Sequence, residues 1–410
     1  MEKIRRARQD LFTIFTAALQ RVEGQTAVAR YLTANPLEGD WSIVAIGKAA
    51  QAMAKGAQAV LGDRISGGLV ISKTGHLDKN WLTASPFIGL ESSHPVPDQS
   101  SLDAGAQLLQ FIESQPDEAR LLFLISGGTS SLVEVLPKGV GLEELQALNE
   151  WMLSSGLSIE RMNRLRKAVS LIKGGGLLSY LGSRTVKGLL ISDVPTDDPA
   201  VIGSGLLLAD AAPIPLDSFD LPSWVEDMIQ SAPQSPLSAH AAELAVVANL
   251  SVARDAAEQK ARELGYQVQM SHAFIGANVE TVAERMALEV SDSLPGVYIW
   301  GGEPSMMLPD QPGRGGRNQH LALAAAIALD GRDDVCFLAA GTDGTDGPGD
   351  DAGGLIDGGT ITRGRRAGLD AITCLKGADS GTFLEASEDL INTGPTGTNV
   401  MDLMIGMKLR

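Results

Sequence analysis

Residues 296–329, GVYIWGGEPSMMLPDQPGRGGRNQHLALAAAIAL, carry the pattern on which the predicted fold rests. An apolar run typical of a buried strand leads through a glycine-rich loop to an apolar run typical of a helix. Arg317 directly precedes this predicted helix. A helix N-terminus carries partial positive charge, so a cation there costs about 0.3–1 kcal/mol. We therefore predict that an anion, a phosphate or a carboxylate, binds where Arg317 and the loop amides converge.

The same arrangement occurs near the start of the chain. Residues 42–46 read as a buried strand, and Gly47-Lys48 then opens an amphipathic run over residues 49–61. Lys48 thus repeats the misplaced charge of Arg317, which predicts a second anion-binding junction. The alternative, a surface lysine at the start of a helix, stays open.

Short apolar runs alternate with helical patterns along the first half of the chain. The predicted strands cover residues 42–46, 68–71, 121–125 and 186–191, and the predicted helices cover residues 49–61, 101–113, 142–153 and 159–172. Strands that are apolar on successive residues are buried on both faces. The alternation favours a Rossmann-like, doubly wound, mostly parallel sheet with helices on both sides.

A stretch rich in proline and serine, residues 211–236, separates this pattern from a second one. Further strands are predicted at residues 244–248, 266–270, 297–300, 335–340 and 400–407. We therefore predict an α/β protein with two α/β domains, residues 1–235 and 236–410. The N-terminal segment, residues 1–40, contains a predicted helix and a long connection, so it could pack on the second domain and make that domain discontinuous.

Composition restricts the partners of this chain. Lys and Arg number 33 against 50 Asp and Glu, which gives a net charge of −17. Such a surface argues against nucleic acid and anionic membranes as partners, so anionic ligands need local cations. No apolar run reaches the roughly 20 residues of a membrane span, and the N-terminus lacks the features of a signal peptide. With two widely separated cysteines, we expect a cytoplasmic protein; a homodimer stays open.

Polar loops follow four of the predicted strands. The first is Gly47-Lys48, and the second, residues 126–131 (SGGTSS), offers amides and hydroxyls that suit a carboxylate or a phosphate. The third contains Asp193, which could hold Mg²⁺, accept a hydroxyl proton, or only shape a turn. The fourth, residues 341–351, is acidic and rich in glycine, and Mg²⁺ between this loop and a polyphosphate is its preferred use. In doubly wound sheets such loops gather at the ligand-binding edge.

His94 lies in the turn SHPVPD, residues 93–98. It could contact a substrate carboxylate, but a hydrogen-bonded structural histidine explains it equally well. The sequence contains neither a P-loop motif nor a GxGxxG motif after the first strand.

Eight motifs in order resemble the glycerate 2-kinase family, type II, whose C-terminal region is called the MOFRL domain. They are AIGKA (45–49), SHPVPD (93–98), LISGG (124–128), LISDVP (190–195), GGE (301–303), GGRNQ (315–319), GTDGTDGP (341–348) and TGPTGTN (393–399). The resemblance covers nearly the whole chain. It implies two α/β domains with the active site in the cleft between them, and transfer of the γ-phosphoryl group of ATP to the C2 hydroxyl of D-glycerate, with Mg²⁺, to give 2-phosphoglycerate.

The resemblance also implies roles for individual residues of this chain. The expected catalytic residues are Lys48, Arg317 and Asp193, and the expected metal ligands are Asp193, Asp343 and Asp346. The expected substrate-binding residues are His94, Ser126, Gly127, Gly128, Thr129, Ser130, Glu303 and Asn318. The expected nucleotide-binding residues are Gly47, Gly315, Gly316, Gly341, Thr342, Thr396, Gly397 and Asn399.

The chain departs from the family pattern at Thr129, at Pro304-Ser305 and at Leu206. If the backbone at Thr129 required a positive φ, this residue would be strained and its loop reshaped. Two alternative functions stay open, the first from a name given to some relatives of the family and the second from the departures at Thr129 and Leu206. One is an NAD(P)H-dependent hydroxypyruvate reductase, which the missing dinucleotide motif disfavours. The other is a non-catalytic, anion-binding relative of the family.

Overall fold

The structure is a computed structural model that describes residues 2–209, 215, 216, 219–232 and 242–410. The chain divides into two compact units. One is Gly24–Val247, and the other joins Met1–Glu23 to Ala248–Arg410. The dividing point predicted from the sequence, at residues 235 and 236, lies outside the described residues, so the predicted domain bounds stay a prediction.

Strands and helices alternate along both units. The strands are β1 (Trp41–Ile46), β2 (Ile65–Lys73), β3 (Phe87–Ser92), β4 (Arg120–Ile125), β5 (Thr185–Ile191), β6 (Glu243–Ala248), β7 (Val268–Ile275), β8 (Gly296–Gly302), β9 (Val335–Gly341), β10 (Gly353–Asp357), β11 (Leu390–Ile391) and β12 (Asp402–Lys408). The helices are α1 (Glu2–Val22), α2 (Gly24–Ala34), α3 (Ala50–Leu61), α4 (Lys79–Thr83), α5 (Gln99–Ser114), α6 (Thr129–Leu132), α7 (Leu142–Ser154), α8 (Ile159–Ala168), α9 (Ser223–Ser231), α10 (Leu250–Glu263), α11 (Val279–Asp292), α12 (Arg317–Ala328), α13 (Thr360–Arg366), α14 (Ala371–Lys376) and α15 (Ser380–Ala386).

The first sheet has the strand order β3-β2-β1-β4-β5-β6. The pairs β3/β2, β2/β1, β1/β4 and β4/β5 are all parallel, and every residue of β1 is buried. This is the order of a doubly wound nucleotide-binding sheet, in which the direction of winding reverses between β1 and β4. The predicted α/β class and its parallel first sheet are confirmed. One predicted helix, residues 159–172, is shorter than expected and ends at Ala168.

The second sheet is mixed, with the order β11-β10-β9-β12-β8-β7. Only the β7/β8 pair is parallel among the strand pairs described here. The last strand, β12, lies between β8 and β9 and runs antiparallel to both. Its first residue, Asp402, is therefore opposite Gly302 at the end of β8 and Gly341 at the end of β9. The loops that follow these two strands thus begin beside Asp402.

Helix α12 lies in the core of this second sheet's unit. Its residues 318–326 are all buried, as expected of a helix that is apolar on most of its faces. It packs on α11, β9 and β10, and α1 packs on α10 within the same unit. Tyr298, Trp300 and Phe337 fill the adjacent core, where their rings lie 6.2–6.3 Å apart. Because α12 is fixed on several sides, the position of its first residue, Arg317, is fixed as well.

Among the helices that the structure describes, none is long and apolar enough to cross a membrane.

Candidate functional site

The turn between β1 and α3 packs directly on the loop after β4. Gly47 has a φ of +128°, and a Cβ atom there would lie 2.1 Å from Ser126 Oγ and 2.6 Å from its carbonyl oxygen. The amide of Lys48 donates to the carbonyl of Gly127 at 2.9 Å, and the amide of Ala49 donates to Ser126 Oγ at 3.1 Å. A glycine is therefore required at residue 47, because the two loops meet at the reversal point of the sheet.

Lys48, His94 and Gly128 lie together at this edge. Gly128 has a φ of +88°, and a Cβ atom on it would lie 3.0 Å from His94 Cδ2 and 3.3 Å from Lys48 Cγ. The lysine comes from the end of β1 and the histidine from the turn after β3, so the sheet brings two distant motifs together. The predicted catalytic lysine is thus adjacent to two predicted substrate-binding residues.

Thr129 is fully buried and has a structural role in this loop. Its hydroxyl lies 2.7 Å from the carbonyl oxygen of Ser126 and 3.0 Å from that of Ile46, so it links the ends of β1 and β4. The residue with positive φ is Gly128, whereas Thr129 begins α6. The condition for strain at Thr129 is therefore not met. The next residue, Ser130, places its Oγ atom 2.7 Å from that of Ser204.

Asp193 follows β5 and is half-buried. Because β5 is parallel to β4, this carboxylate lies on the same edge of the sheet as the two loops just described. The carboxyl ends of β1, β3, β4 and β5 thus present a lysine, a histidine, a set of amides and a carboxylate.

In the other unit, Arg317 begins α12 and lies among carboxylates. Its Nη1 atom is 2.9 Å from Glu303 Oε1 and its Nη2 atom is 3.4 Å from Asp402 Oδ2. Nη1 also donates to the carbonyl of Pro304 at 3.3 Å. Burial acts to lower the pKa of Arg317, but the carboxylates of Asp402 and Glu303 raise it overall. The charge at this helix start is therefore compensated by acidic side chains of the chain itself.

The first amides of α12 are capped by Asp346. Its carboxylate accepts hydrogen bonds from the amides of Asn318 at 2.9 Å and Gln319 at 2.8 Å. Burial raises the pKa of this carboxyl group, and the two amides act to lower it. The carboxylate of Asp346 is thus an anion of the protein itself at the helix start where the sequence predicts an anionic ligand. Both carboxylate oxygens already accept hydrogen bonds, so the proposed metal role of Asp346 would compete with the cap.

Gly316 allows Asp346 to approach the helix. A Cβ atom on Gly316 would lie 2.4 Å from the carbonyl carbon of Asp346 and 2.5 Å from its Cγ. The contact with the loop of Asp346 therefore requires a glycine at residue 316, independently of the predicted role of Gly316 in nucleotide binding. Gly315 has a φ of +139°, and a Cβ atom added to it would lie 3.0 Å from the amide nitrogen of Gly381.

Asp402 is a site residue that the sequence analysis did not identify. It is buried, and burial raises the pKa of its carboxyl group to about 7, with Arg317 acting in the opposite direction. Its Oδ2 atom and the Oδ1 atom of Asn318 are buried without a hydrogen-bond partner among the described residues. The only sequence signal is an acidic residue inside an apolar strand pattern, since its partners are distant in sequence.

The acidic loop after β9 is hydrogen-bonded to the loop before β12. Thr396 Oγ1 donates to the carbonyl of Thr342 at 2.6 Å, and Thr342 Oγ1 donates to the carbonyl of Met401 at 2.6 Å. Asn399 Oδ1 accepts from the amide of Met401 at 3.3 Å. Asp343 Oδ1 accepts from both the amide and the hydroxyl of Thr345 at 3.1 Å. The structure thus brings together the predicted nucleotide-binding residues of these two loops, Gly341, Thr342, Thr396, Gly397 and Asn399.

The candidate ligands for a metal ion are carboxylates. Within residues 2–209, 215, 216, 219–232 and 242–410, no group of three or more His, Cys, Asp or Glu side chains is placed to hold a metal ion. Magnesium in phosphoryl-transfer sites is usually held by one or two carboxylates together with substrate phosphates. Asp193 follows β5 in one unit and Asp343 follows β9 in the other, and each is a half-buried carboxylate of the kind that Mg²⁺ binds.

Comparison with known proteins identifies the family. Residues 10–215 match the model described as a domain of unknown function, DUF4147, and residues 296–402 match the MOFRL family. The D-glycerate 2-kinase of Thermotoga maritima is 36% identical over 378 residues, which cover 89% of this chain and 90% of that protein. The chain belongs to the MOFRL-containing glycerate kinase family. It is a kinase, as the resemblance predicted.

Further relatives span most of the kinase. The glycerate kinase of Homo sapiens is 31% identical over 435 residues, which cover 88% of this chain and 83% of that protein. A protein of Agrobacterium vitis, provisionally named hydroxypyruvate reductase, is 36% identical over 419 residues, which cover 97% of this chain and 93% of that protein. The crystal structure of a glycerate kinase from Thermotoga maritima matches with a TM-score of 0.86 and 34% identity, and the match covers 99% of this chain and 100% of that chain. The roles of the individual site residues of this kinase, and the location of its active site in a cleft, stay predictions.

We expect Gly316→Ala to destabilise the protein by about 1–3 kcal/mol, because the added methyl group overlaps the backbone of Asp346. Gly349→Ala, in the same loop region, is the control, since an added Cβ there meets its first neighbour at 3.9 Å. Urea unfolding of both variants and the parent measures the difference. Equal stability of the two variants would contradict the contact that we assign to Gly316.

We expect Asp402 to make the free energy of unfolding depend on pH. Its folded-state pKa of about 7 lies above the ordinary 3.8, so the folded state binds the proton more tightly than the unfolded chain. Stability from this group is present at low pH and falls as pH rises from about 4 to about 7, by on the order of 1.4 kcal/mol per pH unit. Asp402→Asn should remove that slope, whereas Asp350→Asn, on the exposed part of the acidic loop, should keep it. Urea unfolding across this pH range tests this, and an unchanged slope in Asp402→Asn would refute it.

Proposed function

We propose that this kinase transfers the γ-phosphoryl group of ATP to the C2 hydroxyl of D-glycerate and releases ADP and 2-phosphoglycerate. The observation that carries the proposal is the match to the D-glycerate 2-kinase of Thermotoga maritima across 90% of that protein. The arrangement of Lys48, His94 and Gly128 at the reversal point of a doubly wound sheet supports it, since ligands bind there in this class of fold.

Glycerate is a small anion, so its binding needs donors and positive charge in a protein of net charge −17. Lys48 supplies a cation, and the loop of residues 126–131 supplies amides and hydroxyls beside it. His94, whose ring lies next to Gly128, is proposed to contact the substrate carboxylate. These groups would orient the C2 hydroxyl for attack, and positioning of this kind accounts for much of the catalysis in phosphoryl transfer.

Arg317 is proposed to neutralise charge on the transferring group. Of its two carboxylate partners, Glu303 is half-exposed, with 47% of its side chain accessible, whereas Asp402 is buried. A phosphate oxygen could therefore replace Glu303 on Nη1 while Asp402 continues to hold Nη2. After this exchange the carboxylate of Glu303 is solvated by water. The exchange therefore leaves no buried charge unpaired, and its cost in free energy is small.

The chemical step is a displacement at phosphorus. The C2 oxygen of glycerate forms a bond to the γ-phosphorus, the bond from the γ-phosphorus to the β,γ-bridging oxygen breaks, and the hydroxyl proton leaves to a base. Asp193 is proposed as the base or as a ligand of Mg²⁺, and Asp343 is proposed independently as a candidate ligand of Mg²⁺. Bound Mg²⁺ supplies charge neutralisation of the phosphates. Guanidinium and ammonium groups contribute to the same end, since charge stabilisation is usually the largest catalytic term.

A hydroxypyruvate reductase is the alternative that the name of the Agrobacterium vitis relative supports. The turn after β1 is Gly47-Lys48-Ala49 and lacks the three glycines through which a dinucleotide pyrophosphate is bound. Oxidation of NADH by the pure protein with hydroxypyruvate, and no ADP release with glycerate, would replace the kinase proposal with this one.

Incubation of the protein with ATP, Mg²⁺ and a panel of 2-hydroxy acids is expected to release ADP most rapidly with D-glycerate. Phosphorus NMR should identify the product as 2-phosphoglycerate and distinguish it from 3-phosphoglycerate. L-Glycerate is the control for the enantiomer. Lactate, which lacks the second hydroxyl group of glycerate, is the control for that group. Phosphorylation of none of these acids would refute the proposal.

We expect Lys48→Met to lower kcat by about 30–1,000-fold, because a lost contact between a cation and a phosphate typically costs about 2–4 kcal/mol of transition-state stabilisation. Lys55→Met is the matched control. Lys55 lies on α3, the helix that follows Lys48, and pairs with Asp78 at 3.7 Å, so its replacement removes an equal charge outside the site. Steady-state kinetics of both variants decide the matter, and equal kcat values in Lys48→Met and the parent would exclude Lys48 from the chemistry.

A further inference from the structure

A cavity in the unit formed by Met1–Glu23 and Ala248–Arg410 is lined by charged side chains. Its volume is about 660 Å³. It lies between α1, the turn after β10 and helix α13, and its arginines are Arg5, Arg8, Arg332, Arg363 and Arg366. A cavity of this size holds a small organic molecule.

The cavity lies at the edge of the second sheet away from Arg317. Asp357, which lines the cavity, ends β10 and pairs with Cys336 near the start of β9. Gly341 at the other end of β9 pairs with Asp402. A full strand length therefore separates this cavity from the carboxylates that surround Arg317.

Two buried aspartates fix the floor of the cavity. Asp357 and Asp389 are both buried, and each is shared between two arginines. Arg8 Nη1 lies 2.7 Å from Asp357 Oδ2 and 2.8 Å from Asp389 Oδ1. Arg363 lies 3.0 Å from Asp357 and 2.7 Å from Asp389. The two buried negative charges are thus matched by two guanidinium groups held in defined orientations.

Several arginine donors in the cavity remain unused. Arg8 uses only Nη1, so its Nε and Nη2 groups have no hydrogen-bond partner in the part of the chain that the structure describes. Arg5 and Arg366, both exposed, form neither a hydrogen bond nor an ion pair with any described residue. Three arginines whose donors have no partner among the described residues therefore line one cavity, while the two buried acids beside them are already neutralised.

Basic residues outnumber acidic residues in the lining of this cavity, whereas acidic residues outnumber basic residues in the whole chain. The cavity is lined by five arginines and four acidic residues, of which Asp333 and Glu388 are exposed, whereas the whole chain has 33 basic and 50 acidic residues. We propose that this cavity binds a small organic phosphate as a second ligand site, separate from the site of phosphoryl transfer.

Arginine chemistry favours this ligand class. The planar guanidinium group presents paired N–H donors that match two oxygens of a phosphate, and it stays charged at every physiological pH. Arg5, Arg8 and Arg366 come from two different helices, α1 and α13, so a phosphate between them would be bound from two sides. The volume leaves room for an organic group beyond the phosphate itself.

Isothermal titration calorimetry with glucose 6-phosphate as the probe tests the proposal. We expect the parent protein to bind it, and we expect the double variant Arg5→Gln, Arg366→Gln to bind it at least about tenfold more weakly, since charge-assisted hydrogen bonds are lost. Arg285→Gln is the matched control, because Arg285 is also exposed and unpaired among the described residues of this unit but lies on α11. Arg317→Met should bind the probe as the parent does, which separates this cavity from the proposed catalytic site.

Several results would overturn the proposal. These are no binding of either glucose 6-phosphate or inorganic phosphate at millimolar concentration, an equal loss of affinity in Arg285→Gln, and binding of citrate without binding of either phosphate. Equal loss of probe binding in Arg317→Met and in the double variant would also overturn it. Equal melting temperatures of the parent and the double variant would show that any lost affinity does not come from unfolding. None of these measurements depends on which substrate the kinase phosphorylates.

Discussion

The contact between Asp346 and the first amides of α12 organises the unit that contains Arg317. A helix that begins with an arginine and has no side-chain cap at Gly316 would leave both its dipole and its charge uncompensated. Asp346 accepts the hydrogen bonds of two of these amides, and Glu303 and Asp402 pair with the guanidinium group. Because the carboxylates come from the loop after β8, the loop after β9 and the first residue of β12, satisfying this one helix end also fixes the relative positions of these three strands.

The sequence pattern predicted the first unit well because its determinants are local. Runs such as β1 and β4 are apolar on successive residues, and the glycines after them allow tight turns into helices. The place of β12 could not be predicted in the same way. Its insertion between β8 and β9 depends on pairings across about 60 to 110 residues of chain, and the burial of Asp402 follows from that pairing.

Thr129 shows why a departure from a family motif does not reveal its own consequence. The sequence shows a threonine where a small residue is expected, and it gives no φ angle. In the structure Gly128 takes the left-handed conformation, which leaves Thr129 free to begin α6 and to link the ends of β1 and β4 through its hydroxyl. The substitution adds a hydrogen-bonding group at the reversal point without forcing the loop to change its backbone.

Net charge and local charge have different effects in this protein. A net charge of −17 disfavours the approach of any anion, but at physiological ionic strength the Debye length is only about 8 Å, so distant acidic residues are largely screened. An arginine in contact with its ligand is screened much less. Buried carboxylates hold the guanidinium groups of Arg317, Arg8 and Arg363 in place before a ligand arrives. This preorganisation strengthens the local attraction of a phosphate relative to the screened repulsion by distant acidic residues. An acidic protein can therefore bind phosphates where carboxylates orient part of an arginine cluster and the cluster still has donors, or an exposed carboxylate partner, to exchange for the ligand.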